Sequence, residues 1–485
     1  MIRRLSSSTT NNASPLTPKI ITISEKVWRA AASKHSQEIK SLLEPGLLAR
    51  THNTSGRNNR QQYHDDWTSL DSKNPIYNFL IEYYGLKGAK GPRRLARWAP
   101  NPQLLLSGVD SEEHNESSNI PTTTLSNNTT IYKAAMEASN NVGGILLENA
   151  SLDDLGGTLH MRGSVPVPIT KTSEQAYTAT ANEMSFDTDI TGQQQQQQQQ
   201  LWGILYNPAI FVCNKHLFTE TTDSSINTKE QQQYRKQQIL QTMAPFQWYA
   251  SILRTTLNSE PILHCYGLHE WAMQYHPHGA DPPPSAKYQS SLNLRVSREV
   301  INDTVERKGI RCTHVDALRF FAPAAGPLNH HGATLERLDQ LRLEQKGCVH
   351  AHMDLLKIGL KLQSFIDPEL MVDVLEVALS ARKLDVEASP YDTTKYGAGI
   401  VPIETNEGRR MYRERQILLM QKAEPVRKKL LHAYEDFMKL AFDEELVFNG
   451  GAPENTRNGE YVAPERLARA QPGGLPWRKN LIDNN

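Results

Sequence analysis

The chain has 485 residues, enough for several domains, but its first half contains long runs of Asn, Ser, Thr and Gln that cannot build a hydrophobic core. Its 53 basic and 53 acidic side chains balance, which argues against a strongly basic nucleic-acid-binding surface spread over the whole protein. Four scattered cysteines with no C-x-x-C pair argue against a disulfide framework and favour a reducing compartment.

The first 21 residues combine two early arginines with many hydroxyl side chains, and no acidic residue precedes Glu25. This composition is typical of organelle transit peptides, so it predicts import into a mitochondrion or a plastid. The alternative is a disordered N-terminus on a cytoplasmic protein. No apolar run approaches the roughly 18 residues that span a bilayer, so no membrane partner is expected.

Two helices are predicted in the first hundred residues. Residues 22–50 carry a broken apolar stripe with Ser24 as the N-cap, and residues 74–86 begin with Asn-Pro and have apolar side chains at helical spacing. Trp98 is expected to anchor the following segment against the second helix. A small accessory sheet is an option for three short extended segments, near 143–167, 201–213 and 292–297.

Low-complexity insertions interrupt the chain, and one of them ends in eight consecutive glutamines at 193–200. A compact domain does not need long structureless loops, so these segments are interpreted as disordered excursions. They lie at 51–62, 110–141, 171–200 and 220–233. The sequence therefore predicts a single large helical domain over 22–440, followed by a mobile tail at 441–485.

The second half is richer in helix signals. Asp367 and Pro368 form an N-cap and first helical position, and Ser389-Pro390 ends that helix. A long amphipathic helix over 407–440 is expected to bend at Pro425 and to bury Leu418. Further helices are predicted at 243–258, 261–275 and 347–365. The fold class is therefore mainly α, or α+β if the small sheet forms.

Ionisable residues at helical spacing interrupt the apolar segments. On the helix over 347–365, His350, Asp354 and Lys357 share one face at i, i+4 and i+7, while His352 is turned about 200° away from His350. The segments at 267–273, 312–321 and 384–392 show the same mixture of apolar side chains with His or acidic residues. Burying so many ionisable groups without partners is expensive, so they are expected to converge on one pocket.

Imidazole and carboxylate groups spread over several helices are how metal sites in helical bundles are built, and this ligand set suits iron, manganese or zinc. We therefore predict an enzyme of unknown substrate, an oxidoreductase or a hydrolase, with a metal site formed by His269, His350 and Asp385. An acid–base enzyme without a metal, and a scaffold whose histidines and carboxylates form a structural network, are the alternatives.

Two further sets of residues complete the predicted site. Three ionisable residues are predicted to be catalytic, by moving protons or orienting the metal ligands: His314, Asp354 and Glu270. Three aromatic residues are predicted to bind the substrate, which is expected to be a small molecule: Trp271, Phe320 and Tyr391.

Several unusual strings in fixed order are similar to a family of bacterial and algal proteins commonly labelled 3-methyladenine DNA glycosylase. They are YGLHEWAM, GIRCTHVDALRFF, the following GPLN, GCVHAHMDLLKIGLKLQ, LDVEASPYD and VPIETNEGRRMY. The similarity covers residues 246–440, and NPIYNFLIEYY with RRLARWAP matches the family's N-terminal part.

The family label implies hydrolysis of an N-glycosidic bond in DNA. Such an enzyme flips the base out of the stack, holds it between aromatic side chains and supplies a carboxylate, here Asp385 or Asp354, to activate water. No helix-hairpin-helix pattern accompanies these motifs, and the balanced charge provides no electrostatic affinity for DNA. A DNA glycosylase is therefore the alternative function, and DNA is a partner only under that alternative.

Overall fold

The computed structural model describes residues 20–49, 67–100, 144–150, 164–171, 177–178, 201–206, 229–280, 292–441, 456–457 and 460–461. Its fold is mainly α-helical with a small sheet, which confirms the predicted fold class. Where the sequence predicts a single domain over 22–440, the chain divides into two compact units. We call them the sheet unit, which holds strands β1 to β5, and the helical unit, which begins at Lys26.

The sheet unit is built on five strands in the order β1-β2-β5-β3-β4. β1 and β2 are parallel, and the other neighbouring strands are antiparallel. The strands are β1 (Ile20–Ile23), β2 (Gly144–Glu148), β3 (Ser164–Lys171), β4 (Tyr177–Thr178) and β5 (Leu201–Tyr206). β2 supplies Ile145, Leu146 and Leu147 as buried side chains.

The helical unit carries the described helices and a short hairpin. Helix α9 packs closely on α10, and α11 packs on both α10 and α4. The helices are α1 (Glu25–Leu43), α2 (Asn78–Glu82), α3 (Lys90–Leu95), α4 (Lys229–Asn258), α5 (Leu268–Ala272), α6 (Arg298–Lys308), α7 (Val315–Leu318), α8 (Gln340–Leu343), α9 (Val349–Lys361), α10 (Pro368–Glu387) and α11 (Asn406–Ala441), and the hairpin is β6 (Thr456–Arg457) with β7 (Glu460–Tyr461). Among these described helices, none has the length and apolar character needed to cross a membrane.

Several predicted helix boundaries are wrong. The first helix begins at Glu25, directly after the predicted N-cap Ser24, but it ends at Leu43 rather than at residue 50. The β-branched run Ile20–Ile23 before it pairs with β2. Only Asn78–Glu82 of the segment 74–86 is an α-helix. The predicted strand at 292–297 makes only an isolated bridge from Leu294 to Tyr391.

The other corrections concern α4, α5 and α11. α4 begins at Lys229, inside the insertion predicted at 220–233. The helix predicted over 261–275 shrinks to Leu268–Ala272. α11 continues through Pro425, and Leu418 is 64% exposed rather than in the core, whereas Tyr434 on the same helix is fully buried.

Other predicted segments fall largely outside the described residues. This applies to the leader up to residue 19, the insertions at 51–62 and 110–141, and residues 220–228. Of the insertion at 171–200, Lys171 and Tyr177–Thr178 are described, and they belong to strands. Of the tail at 441–485, Ala441 and the β6–β7 hairpin are described.

α10 begins where the sequence predicts. The Asp367 carboxylate accepts a 2.8 Å hydrogen bond from the backbone N–H of Glu369, and Pro368 occupies the first helical position. This satisfies one of the orphan donors that every helix N-terminus leaves. The cap fixes the start of the helix that carries two residues of the site described below.

Replacing Asp367 with alanine should lower the free energy of unfolding by about 1 kcal/mol, because the helix loses its N-cap. Asp367→Asn should retain most of that stability, since an asparagine side chain accepts the same hydrogen bond. Urea unfolding of the full chain followed by circular dichroism measures both. An equal loss in the two variants would contradict the capping role.

Candidate functional site

A pocket of about 120 Å³ in the helical unit is lined by both ionisable and aromatic side chains. Four of the residues predicted for catalysis or metal binding line it: Glu270, His314, His350 and Asp354. The aromatic lining comes from Phe79, Tyr83, Tyr84 and Phe320. The pocket therefore joins charged groups to apolar surface, as small-molecule sites do.

The face of α9 predicted from helical spacing borders the pocket. His350, Asp354 and Lys357 all line it. His352 does not, since it is fully buried with its Nδ1 3.2 Å from an Arg427 guanidinium nitrogen. The i, i+4, i+7 pattern therefore distinguishes His350, which lines the pocket, from His352, which does not.

α5 is fixed to the C-terminal end of α10. Two consecutive residues with positive φ, Tyr266 at 50° and Gly267 at 66°, turn the chain before the helix starts. The Trp271 indole N–H then donates a 2.8 Å hydrogen bond to the carbonyl of Ala388, which immediately follows α10. This hydrogen bond places His269 and Glu270, the two residues before Trp271, near the C-terminal end of α10, which carries Asp385.

Those two residues join a buried chain of charges. His269 Nε2 lies 2.6 Å from Asp385 Oδ1, and Asp385 Oδ2 accepts a 2.6 Å hydrogen bond from Arg382 Nη1. The same Arg382 nitrogen donates a 3.0 Å hydrogen bond to Glu270, and the Arg382 Nε donates to the carbonyl of Pro75. One arginine therefore orients two carboxylates.

The pKa values of the two carboxyls shift in opposite directions. Burial raises the pKa of Glu270, and the positive charge of Arg382 opposes that shift. Burial alone would raise the pKa of Asp385, but His269 and Arg382 hold it below its usual value. Burial also acts to lower the pKa of Arg382, but Glu270 and Asp385 raise it overall. His269 and Arg382 therefore favour the ionised form of Asp385.

A second histidine–carboxylate pair comes from α7 and α9. His314 is the residue before α7, and its Nε2 lies 3.2 Å from Asp354 Oδ2. Asn329 holds the preceding segment through hydrogen bonds to the backbone N–H and carbonyl of Cys312. Burial alone would lower the pKa of His314, but Glu344 and Asp354 raise it above its usual value. Burial acts to raise the pKa of Asp354, and the hydrogen bond with His314 lowers it.

His350 lies between the two pairs. Its ring centroid is 4.3 Å from that of His269 and 4.8 Å from that of His314, and the His314 ring stacks on it at 20°. Burial, together with the charges of His269 and His314, lowers the pKa of His350 well below its usual value. No hydrogen bond to the His350 ring is found among the described residues. A neutral imidazole with an available nitrogen is the form that binds metals.

The three predicted metal ligands come together. One donor atom from each of His269, His350 and Asp385 lies within 4.8 Å of the other two. Two imidazoles and a carboxylate form a donor set that suits zinc, iron or manganese. Arg382 donates a hydrogen bond to Asp385, and such an outer contact would orient the carboxylate if it bound an ion. The residues present therefore fit a bound metal ion.

His314, Asp316 and Asp354 also place donor atoms within 4.8 Å of one another. Asp316, however, already faces three cations, Arg319 at 3.7 Å, Arg337 at 3.4 Å and Lys357 at 3.7 Å. A metal ion there would compete with these positive charges. This second group is therefore a less suitable metal site than the first.

Two of the three predicted substrate-binding aromatics do not line the pocket. Phe320 does, but Trp271 is fully buried and Tyr391 is only 3% exposed. The Tyr391 hydroxyl accepts a 3.0 Å hydrogen bond from Gln274. Buried Trp and Tyr residues normally find such partners, so both residues pack within the fold.

Sequence reasoning did not assign a role to Arg382 or to Tyr84. Arg382 stands one helical turn before Asp385 in an apolar helix, a spacing that could have identified it as the partner of the carboxylate. Tyr84 lines the pocket, and its hydroxyl donates a 2.8 Å hydrogen bond to the carbonyl of Met353. No local pattern marks Tyr84, because its partner is 269 residues away in the chain.

No protein-family model, no curated protein and no solved structure matches this chain. Its function is therefore inferred from the chemistry of the pocket. That chemistry comprises a histidine whose pKa is lowered well below its usual value by burial, a histidine paired with a carboxylate, and a second carboxylate held by an arginine.

Proposed function

We propose that this chain is a metal-dependent enzyme acting on a small molecule, with His269, His350 and Asp385 as ligands of an iron, manganese or zinc ion. The observation that carries the proposal is the convergence of these three donor groups within 4.8 Å of one another. His350 also lines the pocket, so a substrate there would reach the metal site. Burial of His269 and Asp385 without an ion or a proton between them would be costly.

The remaining ionisable residues have separate roles in this proposal. A bound ion would supply Lewis-acid polarisation of a substrate oxygen, or a metal-bound water of lowered pKa. His314, which lines the pocket, would exchange a proton with the substrate, and Asp354 would stabilise the protonated ring through their 3.2 Å contact. Glu270 and Arg382 orient Asp385 from behind.

Elemental analysis of the full chain, purified without chelators, should find about one iron, manganese or zinc ion per molecule. His350→Ala should lower the bound metal about tenfold or more, because a ligand is lost. Its melting temperature without metal should change little, since no hydrogen bond to the His350 ring is found among the described residues. His432→Ala, which removes an exposed histidine from α11, is the control.

Chelator treatment adds a second measurement. It should lower the melting temperature of the wild type but not that of His350→Ala, because ion binding stabilises only the state that binds it. Absence of bound metal together with no effect of chelator would overturn the proposal. The histidines and carboxylates would then be a structural polar network. In that case His269→Ala would lower the stability of the protein without affecting any catalytic activity.

The glycosylase alternative has one supporting observation, since the Phe320 ring and the Asp354 carboxylate line the same pocket. Base excision needs an aromatic stacking surface and a carboxylate. Release of alkylated base from methylated DNA, lost in Asp354→Asn or Asp385→Asn, would favour this alternative.

A further inference from the structure

The charged groups of the pocket are unevenly paired. Asp354 pairs with His314, and Glu270 and Asp385 share Arg382. Asp316, in contrast, faces the three cations Arg319, Arg337 and Lys357. Three cations therefore share one carboxylate at this place, and Lys357 and Arg337 also act to lower the pKa of the neighbouring Asp354.

The three cations are loosely held. Their nitrogen–oxygen distances to Asp316 are 3.4 to 3.7 Å, whereas a hydrogen bond between ionised groups is normally about 2.7–2.9 Å. Arg319 and Lys357 line the pocket. Neither forms an ion pair with another carboxylate among the described residues, so both side chains can turn to an anion in the pocket.

Aromatic surface lies next to this positive charge. The Arg319 guanidinium is 5.0 Å from the centroid of the Phe320 ring, and the Phe320 and Tyr83 rings meet edge to face at 6.1 Å. Phe320 and Tyr83 both line the pocket. The pocket volume of about 120 Å³ is comparable with a cavity that holds one benzene ring.

We infer that the substrate of this pocket carries an anionic oxygen group, a carboxylate or a phosphate, on a small planar or apolar body. Lys357 and Arg319 would bind the anion, and Phe320 with Tyr83 would contact the body. This inference rests on the proposed function, because it names the substrate class of the same pocket. It is independent of which reaction the site performs.

Titration calorimetry of the full chain with benzoate, phenyl phosphate and benzamide tests the inference. Benzamide has the shape of benzoate without its charge. We expect at least one of the two anions to bind about tenfold more tightly than benzamide, and the stronger anion distinguishes carboxylate from phosphate. Lys357→Met should weaken anion binding about tenfold and leave benzamide unchanged. Lys361→Met, which removes an exposed charge one turn along the same helix, should change neither.

The same titration in His350→Ala separates this inference from the metal proposal. Retained preference for the anion in that variant, lost in Lys357→Met, supports the inference even if no metal is bound. If the preference for an anion over benzamide is lost in His350→Ala but retained in Lys357→Met, the metal alone holds the anion. That result would overturn the inference and support the metal site. Equal binding of benzoate, phenyl phosphate and benzamide, or binding of none of them, would also overturn it.

Discussion

Replacing Arg382 with methionine is expected to lower the free energy of unfolding by about 3–5 kcal/mol, the usual cost of removing one partner from a buried ion pair. Arg382 is only 6% exposed, and it is the cation that bridges Glu270 and Asp385. Its loss leaves two buried carboxyls facing each other without a positive charge between them. Urea unfolding of the full chain gives the change in free energy.

Two comparisons test whether the loss comes from the ion pair. Lys383→Met changes the adjacent, exposed residue of the same helix and should alter stability by less than about 0.5 kcal/mol. Arg382→Met combined with Glu270→Gln should recover part of the lost stability, because one of the two uncompensated charges is then absent. A double variant no more stable than Arg382→Met would contradict the ion-pair explanation.

Helix α9 shows where the sequence was informative about the site. The periodicity of α9 was sufficient to separate His350 and Asp354 from His352, because helical geometry fixes the direction of each side chain. For Asp385 and His269, the sequence predicts only that the segments containing them converge on one pocket. The two residues are 116 positions apart in the chain, and no local sequence pattern predicts a contact over that distance.

The fold class was predictable for the same reason as α9. Helix α10 has both its cap residue and its terminating proline in the sequence, so its bounds agree with the prediction. The helix predicted over 261–275 does not form along its whole length because Tyr266 adopts a positive φ, which is unusual for a residue with a side chain. The prediction that Leu418 is buried is wrong because the apolar periodicity of α11 continues onto a surface that no other described helix covers.

The division into two units was not predictable from composition. Ile20–Ile23 is separated from its partner Gly144–Glu148 by more than a hundred residues, many of them in polar runs. Strand pairing across such a distance depends on tertiary packing that local propensity does not report. The same limit explains why the strands at Lys171 and Tyr177–Thr178 were interpreted as part of an insertion.

Trp271→Ala is expected to cost about 3–5 kcal/mol of stability, because a large side chain is removed from the core. Trp271 is fully buried, and its N–H donates to the Ala388 carbonyl. Arg295 also lies over its ring, 5.4 Å from the centroid. Trp271→Phe should cost less, about 1–3 kcal/mol, since the ring packing remains and mainly the hydrogen bond to the carbonyl is lost.

Binding measurements on Trp271→Phe and Phe320→Ala then decide which aromatic residue contacts the substrate. Phe320 is half-buried and lines the pocket, so its loss should weaken benzoate binding about tenfold with a smaller effect on stability. Trp271→Phe should retain the wild-type benzoate affinity and metal content, because Trp271 supports α5 from outside the pocket lining. Weaker benzoate binding in Trp271→Phe with unchanged binding in Phe320→Ala would restore Trp271 as the substrate-binding residue.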